Sequence, residues 1–151
     1  MSPGRIYAST MIVAVALAGV ATSEAGERFS RRSLKGTYGF NGSGTVAGGT
    51  VAAGFVGLNS FDGAGGCTAT VRLNAGGTVI PLSAAECSYT VNADGTGQIH
   101  VTFDHPIFGG PFTSDFVIVD KGKEVPFSVS DVSGGTVATG VAKKQSSEGR
   151  D

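Results

Sequence analysis

The chain has no tryptophan, two cysteines, two histidines and few charges; Asp, Glu, Lys and Arg together make up 15% of its 151 residues. Each scarcity removes a class of function. The net charge is -1, so no basic field exists to attract nucleic acid or an anionic membrane. Two cysteines separated by 20 positions are too distant for a CxxC redox pair and too few for a zinc site. No GxSxG elbow, HExxH or P-loop occurs, and neither histidine sits beside a serine in an arrangement that suggests a triad.

What is present begins with an export signal. Arg5 supplies a positive start, Ile6 to Ala21 form a mostly apolar, uncharged run, and Ser23-Glu24-Ala25 gives a small-x-small cleavage site before Gly26. Residues 1–25 therefore read as a cleaved signal peptide, and the mature protein as secreted or periplasmic. A lipoprotein signal would need cysteine after Leu17-Ala18-Gly19, where Val20 stands. The apolar run is also short for a retained membrane helix and is interrupted by Ser9 and Thr10. No paired arginines precede it, so export of the unfolded chain is favoured over the twin-arginine route. After cleavage the mature protein has no membrane association.

Removing 25 of the 151 residues leaves 126, enough for one domain. The whole chain holds 25 glycines together with many Val and Thr, a composition that disfavours long helices and suits short strands joined by tight turns. Period-two patterning follows from Leu34 onward. Leu34, Gly36, Tyr38 and Phe40 share one face of a first strand. Cys67, Ala69, Val71 and Leu73 share a face of a third, and Cys87, Tyr89 and Val91 of a fourth. Later, Ile99, Val101 and Phe103 face away from His100, Thr102 and Asp104, and Val125, Phe127 and Val129 face away from Pro126, Ser128 and Ser130. Segments 55–61 and 116–119 are apolar on both faces, which a covering loop, a partner or a closed barrel would explain. Turn signals stand at Asp62-Gly63-Ala64-Gly65-Gly66, Asn92-Ala93-Asp94-Gly95 and Asp120-Lys121-Gly122-Lys123. Segment 43–54, uncharged and rich in glycine, reads equally as a hairpin or a loop.

The expected fold is all-β: a small antiparallel up-and-down meander barrel of about eight strands over residues 34–145, with a two-sheet sandwich as the alternative. Residues 26–33, with Arg28, Arg31 and Arg32, read as a basic N-terminal tail, and 146–151 as a disordered C-terminal tail. Both cysteines fall on apolar faces of consecutive strands in an oxidising compartment. A Cys67–Cys87 disulfide is expected, two buried thiols being the alternative.

Candidate chemistry is sparse. His100, Asp104 and His105 are the one cluster that suggests acid–base or metal work. The five-residue offset sends the histidines to opposite faces of a strand, so a solvated strand face is the better reading. Gly42-Ser43-Gly44-Thr45-Val46-Ala47 matches a GxGxxA dinucleotide fingerprint, but no helix pattern follows to receive a pyrophosphate. Asn92-Ala93-Asp94-Gly95 lacks the further acidic ligands of a calcium loop. Asn41-Gly42-Ser43 fits a glycosylation sequon on three residues alone. No catalytic residue, cofactor or metal site is expected.

The strings LKGTYGF at Leu34, FDGAGG at Phe61, YTVNADGTG at Tyr89, DFVIVDKGKE at Asp115 and GVAKKQ at Gly140 together resemble small exported bacterial β-domain proteins without assigned function. That resemblance implies a compact secreted β-domain and carries no activity. A weaker likeness is to the lipocalin- and avidin-like (calycin) barrels, whose first strand carries a Gly-x-Trp element covered by a basic residue of the last strand. Gly36-Thr37-Tyr38, with Lys143 or Lys144, stands in the corresponding place. This likeness implies barrel topology more than ligand binding.

The leading functional expectation is an exported, non-catalytic binding or surface-interaction module that takes a small hydrophobic ligand inside the barrel. The candidate ligand-binding residues are Tyr38, Phe40, Val71, Tyr89, Val101, Phe103 and Phe127. A structural or adhesive protein with a self-filled barrel is the rival. A third reading is a cofactor-free enzyme such as an isomerase, since a cavity lined by Tyr38, Tyr89 or His100 would leave no motif. Interior volume separates the filled barrel from the other two.

Overall fold

A computed structural model describes residues 28–105, 110–130 and 135–146. The expected signal peptide, its cleavage site and residues 147–151 of the C-terminal tail lie outside the described residues. Eight strands follow one another: β1 (Gly36–Val46), β2 (Val51–Phe61), β3 (Cys67–Ala75), β4 (Thr78–Val91), β5 (Thr96–Phe103), β6 (Phe112–Val117), β7 (Glu124–Val129) and β8 (Val137–Lys144). Each pairs antiparallel with its neighbour in sequence, and β8 returns to β1, closing the sheet. The fold is therefore the up-and-down barrel and not the sandwich, and closure removes the exposed sheet edges that an open meander would carry.

One face of each strand turns inward. Segment 43–54 is a hairpin: β1 runs to Val46, Ala47, Gly48 and Gly49 turn with positive φ, and β2 begins at Val51. In β2 the inward residues are Phe55, Gly57, Asn59 and Phe61. The outward Val56 and Leu58 stay 56% and 44% exposed, so their apolar character reflects a solvent-facing strand with no covering layer among the described residues. Likewise Phe116 and Ile118 are buried while Val117 and Val119 face out.

β4 changes face part-way along. Ile80, Leu82 and Ala84 are the more buried set in its first half, Cys87, Tyr89 and Val91 in its second, and Ala85 and Glu86 are both exposed between them. The ladder with β5 shifts by one residue between Ala84 and Glu86, leaving Ala85 without an opposite residue, as in a β-bulge. The same extra residue lies between the Thr70–Ser83 pair and the Gly66–Ser88 bridge, so Cys87 stands across from Cys67. The two form the expected disulfide, with Cα atoms 5.0 Å apart.

Four cross-strand pairs set an inward glycine against a phenylalanine: Gly42 with Phe55, Gly57 with Phe40, Gly97 with Phe116 and Gly140 with Phe127. In every case a β-carbon on the glycine would run into the ring and into a backbone oxygen of an adjacent strand. Missing β-carbons let the strands coil tightly at these points, and the rings cover the exposed backbone.

The end of the barrel where β2 meets β3 is stoppered. Residues Arg31–Leu34 form a 3-10 turn whose Leu34 is fully buried, and a second 3-10 turn, Asp120–Gly122, packs against it. Arg31 donates from its guanidinium to the Ala64 carbonyl at 3.0 Å, so this part of the basic segment is structured. Asp62 organises the adjoining turn, its Oδ1 accepting from the backbone N–H groups of Ala64, Gly65 and Gly66. Those bonds, led by Ala64, hold its carboxyl below the usual carboxylate range.

Candidate functional site

Strand alternation says which side chains enter the barrel; their height along its axis decides what they do there. Tyr38, Phe61 and Tyr89 form the floor, with edge-to-face ring contacts at 5.4 Å (Tyr38–Phe61) and 5.0 Å (Phe61–Tyr89). Both hydroxyls are engaged. Tyr38 donates to the Gly122 carbonyl and Tyr89 to the Arg31 carbonyl at 2.9 Å, fastening both 3-10 turns to the barrel. Burial raises the pKa of each phenol above its ordinary value, and for Tyr38 the neighbouring Tyr89 adds to the rise.

Above the floor lies a cavity of about 120 Å³ that extends towards the Ala47–Thr50 hairpin end. Phe61, Asn59, Ala69, Val125 and Ala142 line its lower part. Phe40, Phe55 and Phe127, with ring centres 6.1–6.2 Å apart, line the middle, and Thr45, Val46, Val129 and Thr136 line the upper part. Of the seven expected ligand-binding residues, Phe40, Val71, Val101, Phe103 and Phe127 line this cavity. Tyr38 and Tyr89 share their inward direction but sit beneath it, in the floor. Phe55, Asn59, Leu73, Leu82, Ile99, Phe112 and Ser114 also line the cavity and were not singled out from the sequence. Among the described residues that line it there is no Asp, Glu, Lys, Arg or His.

The other candidate chemistry lies outside the barrel. His100 is exposed, with Nδ1 3.2 Å from the Thr113 hydroxyl, and Asp104 is exposed. Asp115 accepts from Gln98 Nε2 at 2.8 Å, and this bond, followed by one to Ser130, lowers its pKa. Among the described residues no group of three or more His, Cys, Asp and Glu side chains converges on a metal position. Asp94 takes both the amide and the hydroxyl of Thr96, as a turn residue does. The GxGxxA stretch runs along β1 into a hairpin and precedes no helix.

Compared with solved structures, the chain superposes on a redesigned β-barrel, mFAP1, bound to DFHBI, and on another, mFAP0, also bound to DFHBI. The first match has 16% identity and a TM-score of 0.54, covering 76% of this chain and 97% of that one. The second has 16% identity and a TM-score of 0.52, covering 74% and 99% respectively. The likeness is one of fold. It agrees with the barrel topology that the likeness of Gly36-Thr37-Tyr38 and the last strand implied. In that arrangement Lys144, the register partner of Tyr38, is the residue that covers the ring, its Nζ 6.0 Å from the ring centre. Lys143 instead pairs with Glu124 at 3.2 Å. No protein-family model and no curated protein matches the chain, so the resemblance to small exported β-domain proteins gains no family.

Proposed function

We propose that the protein is an exported, non-catalytic carrier or binding module that holds a small hydrophobic molecule inside its barrel. The observation that carries this reading is the cavity above the Tyr38–Phe61–Tyr89 floor, whose described walls are apolar and carry no charged side chain. A self-filled barrel at ordinary core density would leave no space of that size. Apolar concavities with a few polar groups are the usual form of small-molecule sites. Barrels of similar fold are bound to DFHBI, and the parallel supports ligand uptake by the interior. The three residues that an isomerase reading would use are not at the cavity wall: Tyr38 and Tyr89 spend their hydroxyls on backbone carbonyls, and His100 faces outward. The disulfide suits a secreted or periplasmic setting.

Titration with an environment-sensitive apolar dye tests the reading. Saturable binding to native protein is expected, and His100→Ala or Asp104→Ala should leave the affinity unchanged because both side chains lie on the outer surface. Failure of the native protein to bind any such dye saturably would favour the structural or adhesive account.

A further inference from the structure

The inward face of β6 reads Phe112, Ser114, Phe116, a small hydroxyl between two rings. Ser114 stands opposite Ile99 on β5 and Val129 on β7, and both of these line the cavity, as Ser114 itself does. Its Oγ makes no hydrogen bond among the described residues, and it is not fully enclosed either, a state that belongs to Asn59 Oδ1. The Ser114 hydroxyl therefore keeps accessible surface, and on the inner face of a closed barrel that surface belongs to the cavity. The other lining hydroxyls are at the rim. Thr45 pairs with the outward, 64% exposed Val137, and Thr136 lies before β8 begins. Ser114 is instead held between two strands, among side chains that offer no acceptor.

We infer that Ser114 is the specificity-determining contact of the cavity, its hydroxyl donating a hydrogen bond to the carbonyl oxygen of a neutral apolar ligand such as a ketone or an ester. This rests on the binding reading above and deepens it, and it sets no limit on ligand size. The chemistry follows from counting donors. An apolar molecule seated against this wall takes water from the hydroxyl and leaves its O–H without an acceptor, a loss that Ile99, Val129, Phe112 and Phe116 cannot make good. A ligand alcohol brings a donor along with its acceptor, so one of the two O–H groups stays unpaired against the apolar wall. A carbonyl brings an acceptor alone and leaves no donor over. A carboxylate would bring a charge that no described lining residue balances.

The test displaces the cavity-bound dye from wild type and from Ser114→Ala with acetophenone, α-methylbenzyl alcohol and ethylbenzene, and with the larger pair acetylnaphthalene and ethylnaphthalene. In Ser114→Ala the ketones should lose about fivefold in affinity, the scale of one net hydrogen bond. The hydrocarbons should hold or gain, because their binding no longer strands a hydroxyl; a merely structural role for Ser114 would weaken every ligand alike. Isotope-edited infrared spectra give a second readout: the stretch of the bound ketone carbonyl should lie lower in wild type than in an apolar solvent and return towards the solvent value in Ser114→Ala. The wild-type half of that measurement decides the matter even if the variant folds poorly. A ketone-to-hydrocarbon ratio unchanged by the substitution, an alcohol that loses more than the ketone, an unshifted carbonyl stretch, or a dye that neither ketone displaces would each overturn the assignment while leaving the carrier reading in place. Absence of dye binding by native protein would overturn both.

Discussion

Replacing Gly57 with alanine tests the glycine–phenylalanine pairing that curves the barrel. A β-carbon there would lie 2.5 Å from the Phe40 ring and would overlap the Thr70 carbonyl oxygen on β3. The ring can turn aside; the carbonyl is fixed in the β2–β3 ladder, in which Gly57 opposes Val71. Relief therefore requires the strands to part, and overpacking of this kind costs about 1–3 kcal/mol. At about 2.1 cal/mol/K per residue over roughly 110 ordered residues, a loss of about 2 kcal/mol lowers the melting temperature by about 9 °C. Thermal melts followed by circular dichroism would measure it. The decisive comparison is Gly57→Ala in a Phe40→Leu background. If the carbonyl is the obstacle the penalty persists there. Its disappearance, or a Gly57→Ala melt within about 1 °C of wild type, would refute the idea that backbone approach dictates glycine at this position.

Further outcomes follow from the floor and the disulfide. Thiol titration of denatured, unreduced protein should find no free thiol, and reduction should lower the urea-unfolding free energy by about 3 kcal/mol for a loop of about 20 residues; two titratable thiols would contradict the pairing. The raised phenol pKa values imply that the folded state holds its tyrosine protons more tightly than the unfolded chain. Their stabilisation is then complete below pH 10 and declines as pH rises from 10 through the folded values. Tyr38→Phe should be less stable than wild type at pH 7 by about 1 kcal/mol for the lost bond to Gly122. It should also show a shallower alkaline decline; an equal or steeper one would count against burial as the cause of the shift.

The barrel was legible because a closed meander has one inside, so alternation of apolar residues translates directly into inward and outward faces. Cys67 and Cys87 could be paired on that basis. Three features escaped it. β2 carries apolar residues at both parities, with Phe55 and Phe61 on one and Val56 and Leu58 on the other, so the inward direction of Asn59 was undetermined until β1 and β3 fixed the register. The bulge at Ala85 has no marker in an Ala-Ala-Glu run; only the change from even to odd apolar positions between Leu82 and Cys87 betrays it. Alternation also gives direction without height, which is why Tyr38 and Tyr89 were grouped with Phe40 and Phe127 although they close the floor beneath the cavity.

The chain enters and leaves the barrel at its stoppered end. Phe29 N–H bonds to the Ala93 carbonyl, Gln145 N–H to that of Thr37 and Lys144 N–H to that of Lys123, all at the level of the two 3-10 turns. The opposite rim, around Ala47–Thr50, carries neither attachment. The described chain therefore begins and ends on the side of the barrel away from the cavity's upper end. Immobilised at residue 28 or residue 146 itself, on a bead, a fusion partner or a neighbouring copy in a tandem string, the barrel would present that upper end outward.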